Sequence, residues 1–166
     1  MKARYISTTE TAKIIRVELA KAFPGIKFSV TSDKYSGGSS VNVKWIDGPT
    51  MKQVEAVAGK FHGASFDGMQ DLKSYHDTEY NGEVVSFSAD YVFFCRSHSQ
   101  EFLQKVAEKT APRLGVAVPG ITVSTHGSIQ GVSNERVHDG FSLNEMIYRD
   151  ACKTFFFEGM RCTEKR

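Results

Sequence analysis

Apolar residues recur every three or four positions in four segments of the chain, which is the spacing of one buried helix face. These apolar positions are Ala12, Ile15, Leu19 and Ala22 or Phe23; Val54, Val57, Ala58 and Phe61; Phe102, Leu103, Val106 and Ala107; and Met146, Ile147, Ala151 and Phe155. Each segment follows a capping-box signal, in which a hydroxyl oxygen accepts from the third helical N–H and a Glu or Gln side chain reaches back. The four signals begin at Ser7, Thr50, Ser97 and Ser142. The pattern therefore predicts four helices.

Two short runs between the first two helices alternate apolar with polar residues, which is typical of strands with one face on the core. The apolar positions of these runs are Ile26, Phe28 and Val30, and then Val41, Val43 and Trp45. We expect an antiparallel hairpin whose connection is a polar loop from Ser32 to Ser40.

A third strand is predicted from about Val84 to Arg96, before the third helix. The residues expected on its core face are Ala89, Tyr91, Phe93 and Cys95. Asn81-Gly82 is a strong signal for a type I′ turn, so the segment from Leu72 to Tyr80 is predicted as the hairpin partner of this strand.

The C-terminal part of the chain carries a weaker pattern. One more strand is expected at Ile121–Ser124, and the polar, Gly-containing stretch from His126 to Gly140 is expected to form a surface loop. In chain order the elements are αββα(β)βα, followed by the C-terminal helix. This order predicts an α+β fold in which helices pack on an antiparallel sheet.

Length and composition limit the class of protein. A chain of 166 residues, 40% of them hydrophobic, can bury a core, and we expect a single domain over residues 1–166. The formal net charge of +2 argues against a protein that coats DNA non-specifically. The chain shows no signal peptide, no run of about 18 apolar residues and no cysteine framework. We therefore expect a protein without membrane contact in a reducing, cytoplasmic compartment.

The segment Lys34–Thr50 reads KYSGGSSVNVKWIDGPT and is distinctive, as are Glu10–Lys13 before it and Ser65–Met69 after it. On these motifs the chain resembles the large polyvalent protein-associated domain family, the twenty-ninth of its numbered series, over about residues 7–111. The resemblance implies a phage or conjugative element, and interference with host defence. It assigns no catalytic residue, because the family has no established activity. Residues 7–111 are then expected to form a family-like core, with residues 112–166 as a C-terminal extension that carries one helix.

The glycine-rich part of this segment is the first candidate binding site. Backbone N–H groups of a glycine-rich loop can cradle a phosphate, and neighbouring cations strengthen such a site. The candidate nucleic-acid contacts are Lys34, Tyr35, Gly37, Gly38, Lys44, Lys73 and Arg96. The segment lacks the spacing and the Gly-Lys-Ser/Thr ending of a P-loop. The alternative is a hairpin connection in which Gly37 or Gly38 adopts a positive φ.

Cys95 and His98 form a Cys-x-x-His half-site, which Cys152 and Cys162 could complete as a zinc tetrahedron. Cys152 and Cys162 are far apart across a predicted helix, unlike the tight ligand pairs of structural zinc sites. We expect no metal and no cofactor, and we expect Cys95 to act as a small hydrophobic residue on the core face.

His76 and Asp77, with further carboxylates nearby, offer acid–base groups for a small hydrolase or for a nuclease that binds Mg²⁺. The nearby carboxylates are Asp67, Asp71 and Glu79. Neighbours on a strand point to opposite faces, so His76 and Asp77 do not form a dyad there. The chain also lacks a Gly-x-Ser-x-Gly nucleophile elbow. We expect no catalytic residue, and a hydrolase or nuclease is the second alternative.

Three consecutive aromatic residues, Phe155-Phe156-Phe157, are placed at the end of the predicted C-terminal helix. Successive helical residues turn by about 100°, so the three rings cannot all face one core. Phe156 or Phe157 is then free to contact a partner protein or a second copy in a homodimer. The alternative is a terminal helix wedged between two layers.

From the residues and the resemblance we expect a non-catalytic binding module of a phage or mobile genetic element. It is expected to work in the bacterial cytoplasm and to bind a host protein, such as a defence enzyme. The first alternative is a nucleic-acid-binding protein that uses the basic, glycine-rich hairpin loop.

Overall fold

The computed structural model describes residues 3–67, 69, 72–124, 128–133 and 135–155 of the chain. The helices in these ranges are α1 (Thr8–Ala22), α2 (Met51–Ala58), α3 (Gln100–Arg113) and α4 (Leu143–Lys153). The strands are β1 (Arg4–Ile6), β2 (Ser29–Tyr35), β3 (Gly38–Ile46), β4 (Ala64–Asp67), β5 (Leu72–Tyr75), β6 (Asp77–Tyr80), β7 (Glu83–Phe87), β8 (Tyr91–Ser97), β9 (Thr122–Val123), β10 (Ile129–Gln130), β11 (Arg136–His138) and β12 (Phe141–Ser142). This mixture confirms the predicted α+β class and the four predicted helices.

The chain divides into two compact units. The first unit is Met1–Trp45 with Met51–Cys95, and the second unit is Ile46–Thr50 with Arg96–Arg166. None of the helices within the described ranges combines the length and the hydropathy that a bilayer span requires.

The first unit is built on a three-stranded sheet of order β2-β3-β8. Alternate residues of β3 face the core, where Val41 and Val43 are fully buried. α1 and α2 supply the opposing apolar surface through Ile15, Leu19 and Val54, which are also fully buried. Burying one such side chain contributes about 1.5–3 kcal/mol. The predicted apolar faces of the first two helices and the alternation of the second run are therefore confirmed.

A second sheet of the first unit has the order β1-β7-β6. Asn81 and Gly82 join β6 to β7 with φ angles of 53° and 79°, as a type I′ turn requires. The predicted hairpin is confirmed, but its first strand is divided, because β5 pairs with β4 and only β6 pairs with β7. β1 pairs in parallel with β7. Its three residues are too few to show a period, so the sequence did not predict it.

The β2–β3 hairpin corrects the prediction of a loop from Ser32 to Ser40. Strand pairing continues to Tyr35 and Gly38, so the connection is only Ser36-Gly37. Gly37 adopts a φ of 96°, which glycine reaches without strain. The prediction was wrong because β2 is an edge strand with mostly exposed side chains, and its polar composition is the same as that of a loop.

The third strand predicted from Val84 to Arg96 is two strands in the structure. β7 ends before Ser88–Asp90 and β8 begins after these residues. In β8, Val92 is 3% exposed, whereas Phe93 is 52% exposed and Cys95 is exposed. The core face is the one that carries Val92, so the predicted core face with Tyr91, Phe93 and Cys95 is wrong. Apolar residues occupy both faces of this strand, and a period of two cannot choose between them.

The second unit has its own core between α3 and α4, which Ile121 and Ile129 complete. The strand predicted at Ile121–Ser124 is confirmed as β9 and pairs with β10, while β11 pairs with β12. The region predicted as a loop from His126 to Gly140 therefore contains two short strands, β10 and β11. Hydrogen bonds to neighbouring segments create these strands, and a stretch of two or three residues carries no periodic signal for them.

The helix caps follow the prediction at Ser7 and Ser142, which form capping boxes for α1 and α4. The cap of α3 is Ser99 instead of the predicted Ser97, and its hydroxyl accepts from the backbone of the third helical residue. Ser97 stays in β8, where its carbonyl accepts from Asp47 N at 2.8 Å. This long-range hydrogen bond extends the strand past the first serine and moves the helix start by two residues.

Candidate functional site

The β2-β3-β8 sheet has one face on the core and one face turned away from α1 and α2. We call the second surface the outer face. Its larger side chains in the first unit are Asp33, Tyr35, Asn42, Lys44, Tyr91, Phe93 and Cys95. Tyr35 is 51% exposed and Phe93 is 52% exposed. The outer face thus presents aromatic rings that are only half covered.

The rings of the outer face are held by the strands that carry them. Tyr91 and Phe93 are two residues apart on β8, so both project from one face, and their rings stack with centroids 6.0 Å apart at 27°. Tyr35 lies on the opposite edge strand and pairs with Gly38. A Cβ at Gly38 would lie 3.1 Å from the Tyr35 ring. Glycine therefore allows the ring to approach β3.

Asp90, which is 5% exposed, ties the start of β8 to β3. Its Oδ2 accepts from Ser39 N at 2.8 Å, and its own N donates to Ser39 O at 3.0 Å. The carboxylate thereby replaces a carbonyl in the strand ladder. A Cβ at Gly38 would lie 2.5 Å from the same Oδ2. Gly38 and Ser39 of the glycine-rich motif are thus explained by packing within the first unit.

A buried polar network continues from Ser39 to α1. Ser39 Oγ donates to Ser88 O at 2.6 Å and accepts from Thr8 Oγ1 at 2.9 Å. Thr8 is fully buried in the first turn of α1. Satisfied buried networks of this kind fix one packing arrangement. The network therefore fixes the position of the sheet, which carries the outer face, relative to α1.

The two lysines of the predicted phosphate site do not converge. Lys34 pairs with Ser39, and Lys44 pairs with Ser29. These pairs are five residues apart along the hairpin, which is about 17 Å. Lys34 also shares the register of the core-facing residues, whereas Lys44 lies on the outer face. The structure therefore does not bring the lysines together beside Gly37.

Arg96 lies in the second unit, where its guanidinium donates to four backbone carbonyls. Nε donates to Asp47 O at 3.1 Å, and Nη2 donates to Gly48 O at 2.9 Å. Nη1 donates to Ala151 O at 3.0 Å and Nη2 to Thr154 O at 2.8 Å, so Arg96 also satisfies the C-terminus of α4. Burial lowers the pKa of Arg96, and Asp47 opposes that shift. The fold itself holds this side chain.

The turn at Asp47-Gly48, near the end of the distinctive segment Lys34–Thr50, is hydrogen-bonded to the start of α3. Both residues adopt positive φ angles, 55° and 64°, which aspartate and glycine tolerate. Asp47 Oδ1 accepts from Ser99 N at 2.8 Å. The turn therefore belongs to the second unit, where its two carbonyls accept from Arg96 and the Asp47 carboxylate accepts from Ser99, the residue that caps α3.

His98, a predicted zinc ligand, packs among the aromatic rings of the second unit. Its ring centroid is 5.4 Å from that of Phe102 and 6.3 Å from that of Tyr148. Burial and then the charge of Arg96 lower the pKa of His98 to about 4. Its Nδ1 is buried and has no hydrogen-bond partner among the residues that the structure describes. His98 is thus a neutral ring at neutral pH.

The other predicted ligands and acid–base groups are dispersed. Cys95 and Cys152 are free, exposed thiols, and Cys162 lies outside the described residues. Across the described ranges, no group of three or more His, Cys, Asp or Glu side chains is placed to hold a metal ion. His76 lies between β5 and β6, where its N donates to Gly63 O at 3.0 Å, and it is exposed like Asp77.

The remaining candidates concern the C-terminus and β5. Thr154 caps α4, so Phe155 follows the helix and does not lie in it, which corrects the prediction. Phe156 and Phe157 lie outside the described residues, as does the side chain of Lys73. The sequence did not predict that Phe93 is exposed. It did show that the opposite face of the same strand, with Val92 and Phe94, is equally apolar.

Comparison with known proteins gives one match. The sequence profile of large polyvalent protein associated domain 29 matches residues 6–99, more than half of the chain. No curated protein and no solved structure matches. The matched range contains the outer face and the glycine-rich motif, and it ends at Ser99, which caps α3.

Proposed function

Because the chain belongs to the large polyvalent protein-associated domain 29 family, we propose that it is a non-catalytic binding module that binds a protein of the bacterial host. Domains of this family are associated with phages and mobile elements. A component of host defence is the class of partner that this context favours. The observation that carries the proposal is the outer face, with the half-exposed rings of Tyr35 and Phe93.

Aromatic side chains supply much of the binding energy at protein interfaces, because they bury a large area and have few rotatable bonds. Tyr35 and Phe93 come from the two edge strands of the sheet, and Tyr91 stacks on Phe93. On the central strand, Asn42 Nδ2 donates to Asp33 Oδ2 at 2.8 Å. Protein interfaces are enriched in aromatic residues and also contain hydrogen-bonded polar groups.

Charge also favours a protein over a nucleic acid. Affinity for nucleic acid comes largely from cations that neutralise phosphates. Asp33 and Lys44 give the outer face one charge of each sign, and the whole chain carries a formal net charge of +2. Arg96, a partly buried cation, donates to backbone carbonyl groups. The alternative is a nucleic-acid-binding protein, and the experiment must distinguish it from a protein that binds a host protein.

The test recovers host proteins from a bacterial lysate with the tagged chain, with and without nuclease. Three forms are compared: wild type, Phe93→Lys and Val84→Lys. Val84 is the matched control because it is 51% exposed, lies on strand β7 and stands opposite Glu79, which tolerates a lysine neighbour. We expect one stoichiometric host protein that survives nuclease, is lost with Phe93→Lys and is retained with Val84→Lys.

Other results would select the alternatives. Material that disappears on nuclease treatment, with recovery strengthened by Phe93→Lys, would indicate nucleic acid, because the added lysine attracts phosphates. Equal recovery by both variants would refute the outer face as the binding surface. A hydrolase or nuclease predicts turnover of a phosphodiester substrate that is lost on His76→Ala while the fold is kept.

A further inference from the structure

We propose that the exposed edge of β2 binds an extended, acidic segment of the partner polypeptide as an added strand. This inference rests on the proposed function, since it names the form in which a protein partner would be recognised. It is carried by the backbone of β2, by Arg16 of α1 and by the charge of Lys34.

The two-residue connection of the hairpin decides which backbone groups of β2 point outward. The closing pair of such a hairpin, here Tyr35 and Gly38, exchanges hydrogen bonds, and the pairs then alternate along the ladder. Every second residue of β2 therefore bonds to β3, and the residues between direct N–H and C=O away from it. The outward residues are Val30, Ser32 and Lys34. The bonds of Ser39, which is paired with Lys34, agree with this alternation. Its N and O bond to Asp90 on the far side of β3, so they do not bond to Lys34.

The outward groups of β2 are only partly occupied. Among the residues that the structure describes, the sheet order β2-β3-β8 leaves this side of β2 without a neighbouring strand. Arg16 Nη2 donates to Val30 O at 2.7 Å, which closes one end of the edge. Within the described ranges, no hydrogen bond reaches the backbone groups of Ser32 or Lys34. Exposed groups of this kind form a template for an extended chain.

The charges at this edge indicate the composition of the segment. Arg16 stands at one end of the open stretch and Lys34 stands at the other, about 13 Å away along four residues. The nearby carboxylate of Asp33 projects to the outer face, where it accepts from Asn42. A segment of about five residues with acidic side chains would match this length and charge. Alternate side chains of such a segment would project beside Tyr35, on the surface assigned to the partner.

The probe is a displayed library of random twelve-residue peptides, selected against the full chain. Ser32→Pro removes one outward N–H and leaves the ladder to β3 intact, since proline is tolerated at an edge position of this kind. Ser32→Ala is the side-chain control. We expect selected peptides rich in Asp and Glu, whose dissociation constant rises about tenfold on Ser32→Pro and stays unchanged on Ser32→Ala.

Residue-resolved amide exchange of the unaltered chain provides a second readout that does not depend on a variant folding. In the peptide complex, exchange at Ser32 and Lys34 should slow by about tenfold, while Asp33 and Tyr35, already bonded to β3, should not change. Uniform slowing, or no slowing at Ser32 and Lys34, would overturn strand addition. So would a selection whose peptides bind Ser32→Pro as well as wild type, or one that yields no peptide.

The failure of strand addition and the failure of the proposed function are distinguishable. A host protein captured by wild type and by Ser32→Pro, but not by Phe93→Lys, would overturn strand addition and leave the proposed function in place. Peptides that protect Ser32 and Lys34 in a chain that captures no host protein would overturn the proposed function alone.

Discussion

Replacing Arg96 by alanine removes the donors that join two separate segments of the second unit. The oxygens left behind belong to Asp47, Gly48, Ala151 and Thr154. A hydrogen bond to a charged group contributes about 1.5–3 kcal/mol, but bonds that share one guanidinium are not additive. The carbonyl oxygens left without a donor cost about 1–3 kcal/mol where they stay away from water, and Arg96 is only partly buried. We expect Arg96→Ala to lower the free energy of unfolding by about 3 kcal/mol.

Two further variants distinguish the loss of these hydrogen bonds from a general loss of positive charge. Arg96→Lys keeps the charge, but three donors on one ammonium cannot reach four carbonyls, and we expect a loss of about 2 kcal/mol. Arg113→Ala removes an arginine whose side chain is 58% exposed and which, in the described part of the chain, bonds only to Asp150, at 2.6 Å. An exposed pair of this kind contributes about 1 kcal/mol or less.

The assay is urea unfolding of the full chain, followed by far-ultraviolet circular dichroism. Arg96→Ala should also lower the midpoint of thermal unfolding by about 10 °C. An Arg96→Ala protein that is no less stable than Arg113→Ala would refute the role given to Arg96 and would return this residue to the candidates for ligand binding.

Three other predictions use different measurements. Gly38→Ala should lower the free energy of unfolding by about 2 kcal/mol, since its Cβ meets a buried carboxylate. Gly120→Ala is the control: no atom of a described residue lies within 4 Å of its added Cβ, so the change should be near neutral in the same urea titration. His98 takes a proton near pH 6.5 when unfolded and at about pH 4 when folded, so the unfolded state binds more protons between these values and stability falls as the pH drops through them. His98→Phe should flatten that decline, and an unchanged slope would contradict it. A bound host protein should slow alkylation of Cys95 but not of Cys152, as measured by mass spectrometry of the two peptides; equal slowing would place the partner elsewhere.

The helices could be predicted because long apolar periods and caps reinforce each other. α1 illustrates this, since Ser7 begins a capping box and Ile15 and Leu19 lie on its buried face. The start of α3 could not be predicted to the residue. Ser97 and Ser99 are equally good caps by local chemistry, and Asp47, about fifty residues away, selects Ser99.

The candidate site could be predicted only in part. The glycine-rich motif correctly indicated a hairpin connection in which Gly37 adopts a positive φ. Its alternative role as a phosphate cradle stays a prediction that depends on cations which the hairpin places about 17 Å apart. Arg96 resembles any surface cation in sequence, because its partner Ala151 is 55 residues away. Phe93 was predicted in the core because an alternating pattern does not show which face of a strand is buried when both faces are apolar.

In sequence, the second unit is discontinuous, because Ile46–Thr50 lies between two stretches of the first unit. Cutting the polypeptide after Cys95 would therefore not isolate the first unit cleanly. It would leave the Asp47 carboxylate without Ser99 N, and its carbonyl without the Arg96 guanidinium. The family match ends at residue 99, which is the second of these two partners along the chain. An excised domain that respects this boundary carries the partners of its own Asp47 turn, whereas a shorter one would present that turn to proteases.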